Sequence, residues 1–323
     1  MIKKIDKKEI LNKKVIAITV VALVSMFLLS RIPSFLKPQN LSNLILRGVP
    51  LLALAIGQML VLLTGSIDLS VGALLSVSTA IASVTMQHSV GLGILASCGF
   101  AIVLGLGNGL AVTKLKINPF LVTLGTTAII NGIALYIRPY PGGIIPLYYS
   151  EFILLKVGVI PVVPIILFLI IAILGIFLLR KTLYGRHLYA VGGNSEAARL
   201  AGLNVDRIII IAYMLSGLFA AIGGLYMSAR IGCGDPTVGK PFQMESITAA
   251  VLGGTALTGG KGKMRGTILG VILVILLGNI FNLLNFNIYW QQVSRGIILL
   301  IVVAISSYEV SLKDTKKLKR LII

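Results

Sequence analysis

Apolar residues in this chain come in long blocks, with almost none of the strict alternation that marks half-buried strands. Blocks that reach, or nearly reach, the length needed to cross a bilayer fall at 15–31, 46–64, 69–87, 92–112, 120–137, 159–180, 208–228, 244–258, 267–284 and 290–307. The pattern predicts an all-α, polytopic membrane protein of about ten transmembrane helices. The 244–258 block is short for a crossing and is expected to be tilted, re-entrant or broken. Gly65, Ser66 and Asp68 interrupt what would otherwise be one helix from 46 onward.

Between the blocks the connections are short, so the expected organisation is one transmembrane domain over 15–307, with basic tails at 1–14 and 308–323. The longest connections are 138–158, opening on Arg138-Pro139-Tyr140-Pro141-Gly142-Gly143, and 181–207. The first reads as a turn-rich loop or partial helix. A basic stretch before Val15 resembles the start of a signal peptide, but the run ends at Ser30-Arg31-Ile32-Pro33 without a small-x-small cleavage site, and a retained first helix is expected.

Composition agrees with lipid as the solvent: 57% of residues are hydrophobic and 12% charged, too apolar for a soluble domain. The net charge of +19 would fit a nucleic-acid binder if its cations shared a face with aromatic side chains, but they are confined to segments between apolar blocks. With the N-terminus inside, ten crossings put 21 Lys and Arg residues in cytoplasmic segments and seven in outer ones, Arg295 lying within the last block. That bias predicts cytoplasmic N- and C-termini. Cys98, Cys233, His88 and His187 are isolated, which predicts neither a disulfide framework nor a metal centre.

Asp68 is the only acid between Glu9 and Glu151, and lies in Gly65-Ser66-Ile67-Asp68-Leu69-Ser70-Val71-Gly72. An ionised carboxylate at mid-bilayer costs about 2.5–3.5 kcal/mol, so it must sit at an interface, be paired, or face water. Two readings stay open: an Asx-type turn between hydrophobic helices, or a direct part in transport. Other polar residues inside apolar blocks are Gln58, Asn108, Thr123, Thr126, Asn131, Ser216 and Glu245. Gln58, Asp68, Asn108, Thr123, Asn131 and Glu245 form the candidate substrate pathway. Each also has an explanation as interhelical glue. Gly105, Gly107, Gly109, Gly217, Gly223 and Gly224 suit close helix packing.

The polar 181–207 connection carries a second candidate site. Gly192 and Gly193 suggest a turn, after which Asn194 or Ser195 can cap a short helix with Glu196 in its first turn. Ala197, Ala198, Arg199, Leu200 and Ala201 favour helix, and Gly202 suits a left-handed C-terminal cap. A two-turn helix is marginal alone in water. Its apolar face must be covered by the rest of this chain or by a partner subunit.

Catalytic constellations are missing from the sequence. The Gly253–Gly262 segment fails the phosphate-loop pattern, since Lys261 is followed by Gly262 rather than Ser or Thr. No Ser/His/Asp arrangement, paired-carboxylate site or zinc signature stands out, so no enzyme activity and no cofactor are expected.

Three blocks together resemble the membrane-spanning permease subunits of bacterial ATP-binding-cassette importers, in the branch handling ribose, xylose, galactose and related sugars. They are Thr64-Gly-Ser-Ile-Asp-Leu-Ser-Val-Gly72; then Asn108-Gly109, Ile117-Asn-Pro-Phe-Leu-Val-Thr-Leu-Gly125 and Asn131-Gly132. The third runs from Thr182 through Tyr184-Gly-Arg186, Tyr189–Asn194, Ala197-Ala-Arg199 and Gly202, on through Tyr213–Gly217, to Val251–Gly254 and Gly259–Gly262. The resemblance covers about 45–306. It implies a homo- or heterodimer of permeases, two cytoplasmic ATPases, and a periplasmic or lipid-anchored binding protein delivering a ribose-like sugar. It also implies that 181–207 is the ATPase-coupling loop, with Arg186, Asn194, Ser195, Glu196, Ala197, Ala198, Arg199 and Gly202 its candidate residues. The sequence departs from the family at Phe242–Ala250, where Gln243 is neutral and Glu245 alone keeps a carboxylate; this bears on the identity of the sugar. Ser66 also replaces a glycine. The competing reading is an ion-coupled secondary transporter using Asp68, which would show broken helices and often an inverted repeat. No such repeat is evident, and no filter motif suggests a channel.

Overall fold

The computed structural model describes residues 34–287, 289–294, 296, 297, 300 and 304. The expected first crossing at 15–31, both basic tails and much of 290–307 lie outside the described residues; 289–294 are helical.

In chain order the elements are α1 Pro38–Leu63, α2 Val71–Thr85, α3 Val90–Thr113, α4 Pro119–Ile137, α5 Leu147–Ile153, β1 Lys156–Val157, β2 Ile160–Pro161, α6 Val162–Lys181, α7 Leu183–Gly193, α8 Ser195–Leu200, α9 Val205–Ile231, α10 Lys240–Leu252 and α11 Met264–Leu283. Among the described residues, α1, α3, α4, α6, α9 and α11 are long and apolar enough to cross a membrane, and α2 is a shorter apolar helix. The architecture is that of a multi-pass membrane protein. A two-residue antiparallel hairpin, β1 with β2, is the small exception to an all-helical chain.

α1 begins eight residues earlier than its apolar block, with Pro38 in its first turn. A proline there has no amide to waste, and its fixed φ suits the helix. Within α1, Pro50 removes one backbone donor but the helix continues. α9 packs on α1, α2 and α3 and forms the centre of the bundle with them. Small residues permit that approach. A side chain at Gly105 would strike the Tyr213 carbonyl, one at Gly217 the Ala101 carbonyl, and one at Gly109 the α9 backbone at Ile210. Gly223 and Gly224 also pack closely, against Leu54 and Leu75, whereas Gly107 faces open space. α3, α4 and α6 turn large apolar side chains such as Val103, Leu121, Leu174 and Phe177 outward, as helices facing lipid must.

Several segments grouped by charge counting also meet in space, although Arg47, counted as outer, is held within the bundle by Glu245, and Lys240, likewise counted as outer, starts α10 beside the Gly72 level of α2. At one end Gly260 donates its amide to the Leu63 carbonyl, Tyr189 bonds the Gly262 carbonyl, and Lys114 meets Asp206. At the other, Gly142 bridges Gly234, Arg138 bonds Ser83, and Asn40 pairs with Asn279.

One local expectation needs correcting, and another holds with shifted bounds. Gly192 and Gly193 are no free turn but the last turn of α7, where Gly192 has the Leu63 carbonyl and the Gly260 amide against its α-carbon. Any side chain there would collide with backbone. The 244–258 block is a 13-residue helix starting at Lys240 and ending at Leu252. At 1.5 Å per residue it covers about 20 Å, short of the roughly 30 Å hydrocarbon core.

Candidate functional site

Asp68 lies at the elbow between α1 and α2 and is 1% exposed. Its Oδ1 accepts the Ser70 amide at 2.9 Å and the Ser70 hydroxyl at 2.5 Å, which is the Asx turn. Its Oδ2 accepts from Ser216 of α9 at 2.8 Å. The chain of bonds continues outward: Asn108 of α3 donates to Ser70 Oγ at 3.1 Å, and Thr126 of α4 donates to Asn108 Oδ1 at 2.6 Å. Thr123 donates to the Ile67 carbonyl at 3.3 Å. One carboxylate thus ties α2, α3, α4 and α9. Among the described residues no cation pairs with it. Hydrogen bonds to a charged group contribute about 1.5–3 kcal/mol each, and in low dielectric they hold the network rigid. Of the two sequence readings, the geometry matches the turn and adds a helix tie that the local sequence did not suggest.

Glu245 is fixed differently. Its Oε1 meets Arg47 Nη2 at 2.8 Å, with the side chains 3% and 24% exposed. α10 is thereby pinned to α1 by an ion pair inside the bundle, with Gly278 of α11 beside the guanidinium. Gln58 is fully buried, its amide without a hydrogen-bond partner among the described residues. Asn131 is half-buried on α4. Of the six pathway candidates, the structure therefore brings Asp68, Asn108 and Thr123 into one network, places Glu245 in an ion pair, and leaves Gln58 and Asn131 apart. Five of the six are enclosed by their own chain.

At the end of the bundle that holds Lys114 and Asp206, the 181–207 segment folds as two helices. Thr182 caps α7 by accepting the Gly185 amide at 3.1 Å, and α7 buries Leu188 and Val191. The short helix forms as expected: Asn194 Oδ1 accepts the Ala197 amide at 3.0 Å. Gly202 has φ +83°, and its amide and that of Leu203 close the last turn on Arg199 and Ala198. α8 turns Ala198 into the core of its own chain, while Ser195, Glu196, Ala197 and Arg199 are exposed and Leu200 is 90% exposed. The chain covers one residue of this helix and leaves its leucine bare. Arg186 is exposed on the neighbouring α7.

Arg199 is held at 3.0 Å by Asp206, in the first turn of α9, and Asp206 also meets Lys114 of α3 at 2.9 Å. α8 is thus connected through Asp206 to the helix that carries Ser216. Sequence reading missed this clamp, although an acid seven residues after Arg199 in a basic loop was a visible signal. It missed Arg47 and Ser70 as well.

Among the described residues no group of His, Cys, Asp and Glu could hold a metal ion. The geometry supports a mechanical connection from α8 through Asp206 to α3 and α9.

Comparison with known proteins supplies the remaining findings. The pattern of the family described as "Branched-chain amino acid transport system / permease component" matches residues 40–303. The ribose import permease protein RbsC of Bacillus subtilis is 40% identical, over 84% of this chain and 85% of its own length. The galactose/methyl galactoside import permease protein MglC of Haemophilus influenzae is 32% identical over 88% and 90%. The xylose transport system permease protein XylH of the same species is 29% identical over 91% and 95%. No solved structure matches significantly.

Proposed function

The chain belongs to the branched-chain amino acid transport system / permease component family, and on that premise we propose that it is the pathway-forming permease subunit of a bacterial ATP-binding-cassette importer for a ribose-like sugar. Membership separates it from enzymes: the relatives are named as import permeases, and the chain spans nearly the full length of each. The ion-coupled reading of Asp68 finds no support beside them, because that carboxylate is engaged in tying helices.

The observation that carries the mechanism is α8. A short helix, capped at both ends and anchored through Ala198, projects a leucine that its own chain leaves 90% exposed and that a partner can cover. A cytoplasmic ATPase is the partner this reading requires, seated on Glu196, Ala197, Arg199 and Leu200. Closure of the ATPases would push α8, and the Arg199–Asp206–Lys114 clamp would pass the movement to α3 and α9. Ala198 supports this surface from behind. A binding protein would present the sugar at the opposite end, where 138–161 lie and Gly234 bridges Gly142, in the cytoplasmic membrane of a bacterium. A second permease subunit would complete the pathway.

Leu200→Glu tests the assignment. The helix keeps its caps and its buried Ala198, so the protein should reach the membrane in normal amount while uptake falls by about tenfold or more, the loss of one buried apolar anchor at an interface. Normal uptake with Leu200→Glu would remove α8 from the coupling surface.

A further inference from the structure

If five of the six buried polar candidates belong to the interior, the sugar needs another polar surface. The 232–243 segment supplies one. Sequence reading placed 232–239 in an outer loop, yet it runs into the bundle along α2. Gly234 packs on Ser83 and Thr79. The Asp235 amide donates to Thr79 Oγ1 at 2.9 Å, and that hydroxyl donates back to the Asp235 carbonyl at 3.0 Å. Four residues later the Gly239 amide donates to Ser76 Oγ at 2.9 Å, and the Gly239 carbonyl lies against Gly72. The irregular, turn-rich segment therefore descends alongside the stretch of α2 from Ser83 to Gly72, about 16 Å at 1.5 Å per residue. α10 begins only there.

That level is deep. Gly72 follows Ser70 by two residues, and Ser70 shares Asp68 with Ser216. Ser216 lies 11 residues from the start of α9 and 15 from its end, roughly 16 and 22 Å. Irregular backbone at such depth occurs only where protein covers it or water reaches it, and interrupted helices at mid-membrane mark binding sites in other transporter folds. Here Thr237 and Lys240 are exposed, and Asp235 and Gln243 are half-buried. A lysine facing lipid near the midplane would cost about 2.5–3.5 kcal/mol. Its stem spans only roughly 6 Å, too little to reach either headgroup layer from this depth. By contrast α3 and α6 expose Val103, Leu174 and Phe177.

We propose that Thr237, Lys240 and Gln243, on the non-helical half of this interrupted crossing and the first turn of α10, line the aqueous passage and contact the hydroxyl groups of the translocating sugar. The inference rests on the importer reading for the identity of its ligand. Hydroxyl, ammonium and amide groups together offer both hydrogen-bond donors and acceptors, which suits a polyol making weak, transient contacts. Thr237 is held in place by donating both its amide, at 2.7 Å, and its hydroxyl, at 2.9 Å, to Asp235 Oδ1.

The test is thiol accessibility in cells carrying the complete importer, with Cys98→Ala and Cys233→Ser as background. Thr237→Cys, Lys240→Cys and Gln243→Cys are compared with Val103→Cys, using a membrane-impermeant charged methanethiosulfonate. Water-exposed thiols ionise and react, whereas thiols in lipid do not. Modification at 237 and 240 should be at least about tenfold faster than at 103. It should also change at least about twofold when ribose, galactose or xylose, whichever the cells accumulate, is added. Rates equal to that of Val103→Cys at both 237 and 240 would overturn the aqueous placement. Fast modification indifferent to all three sugars would overturn the contact. Uptake that survives loss of the ATPase would instead overturn the importer reading while leaving the aqueous placement to be judged on the labelling rates.

Discussion

Asp68→Asn separates a carboxylate that ties helices from one whose charge is used in transport. The asparagine keeps an oxygen where Oδ1 accepts the Ser70 amide and hydroxyl at 2.9 and 2.5 Å. Its new NH2 group replaces the oxygen that accepts from Ser216 at 2.8 Å, and the Ser216 hydroxyl can rotate to accept instead. Bonds to a charged acceptor, worth about 1.5–3 kcal/mol each, become neutral ones worth about 0.5–1.5. Against that loss stands the removal of a buried charge with no cation beside it, whose desolvation is itself several kcal/mol. The two changes oppose each other, and the net effect of Asp68→Asn should stay within about 2 kcal/mol of zero. Asp68→Leu has no such compensation. It orphans the Ser70 amide and hydroxyl and the Ser216 hydroxyl in the middle of four helices, at about 1–3 kcal/mol for each unsatisfied group, and should cost about 3 kcal/mol or more. The assay is denaturation of the purified permease in detergent, read beside uptake in cells. The expected result is near-normal uptake and stability for Asp68→Asn, with a marked loss of both for Asp68→Leu. An Asp68→Asn protein that is as stable as its parent but transports nothing would refute the tie and show that the charge itself is used.

Two further outcomes follow from the packing. Arg47→Met or Glu245→Met should each destabilise the permease by about 3–5 kcal/mol, leaving its partner's charge in the bundle, while the double variant Arg47→Met with Glu245→Met should recover part of the loss; a double variant as destabilised as the sum of those two singles, or worse, would contradict the pairing. Gly239→Ala drives a methyl group into the Gly72 carbonyl and should abolish accumulation in the membrane, whereas Gly107→Ala, which meets nothing within 4 Å, should accumulate normally.

The helices were readable where an apolar block was long and its ends were chemically marked. α8 is the clearest instance, with Asn194 and Gly202 acting where cap chemistry puts them. α7 was hidden, because Gly192 and Gly193 read as turn residues until Leu188 and Val191 are seen to be buried. Glycine composition cannot distinguish a flexible turn from backbone pressed against backbone. The first two turns of α1 were missed for a related reason: Gln39, Asn40 and Asn43 end the apolar run, but Asn40 pairs with Asn279 on α11. The 232–239 segment carries Gly, Asp, Pro and Thr in the manner of any surface loop, and the hydroxyls of Ser76 and Thr79 that let its backbone enter the bundle lie far away in sequence. Partners so distant leave no local trace. Arg47 and Glu245 are 198 residues apart, and Asp68 and Ser216 are 148. The candidate polar residues could be picked out by type. Whether each faced the interior or the passage depended on a packing that only the fold supplies.

The importer account stands or falls on accumulation of labelled ribose, galactose and xylose in cells that make this permease with its binding protein, measured with the partner ATPase intact and with its phosphate-binding lysine replaced. The account predicts that at least one of the three is concentrated in the first strain and none in the second. Undiminished accumulation without a working ATPase would contradict it.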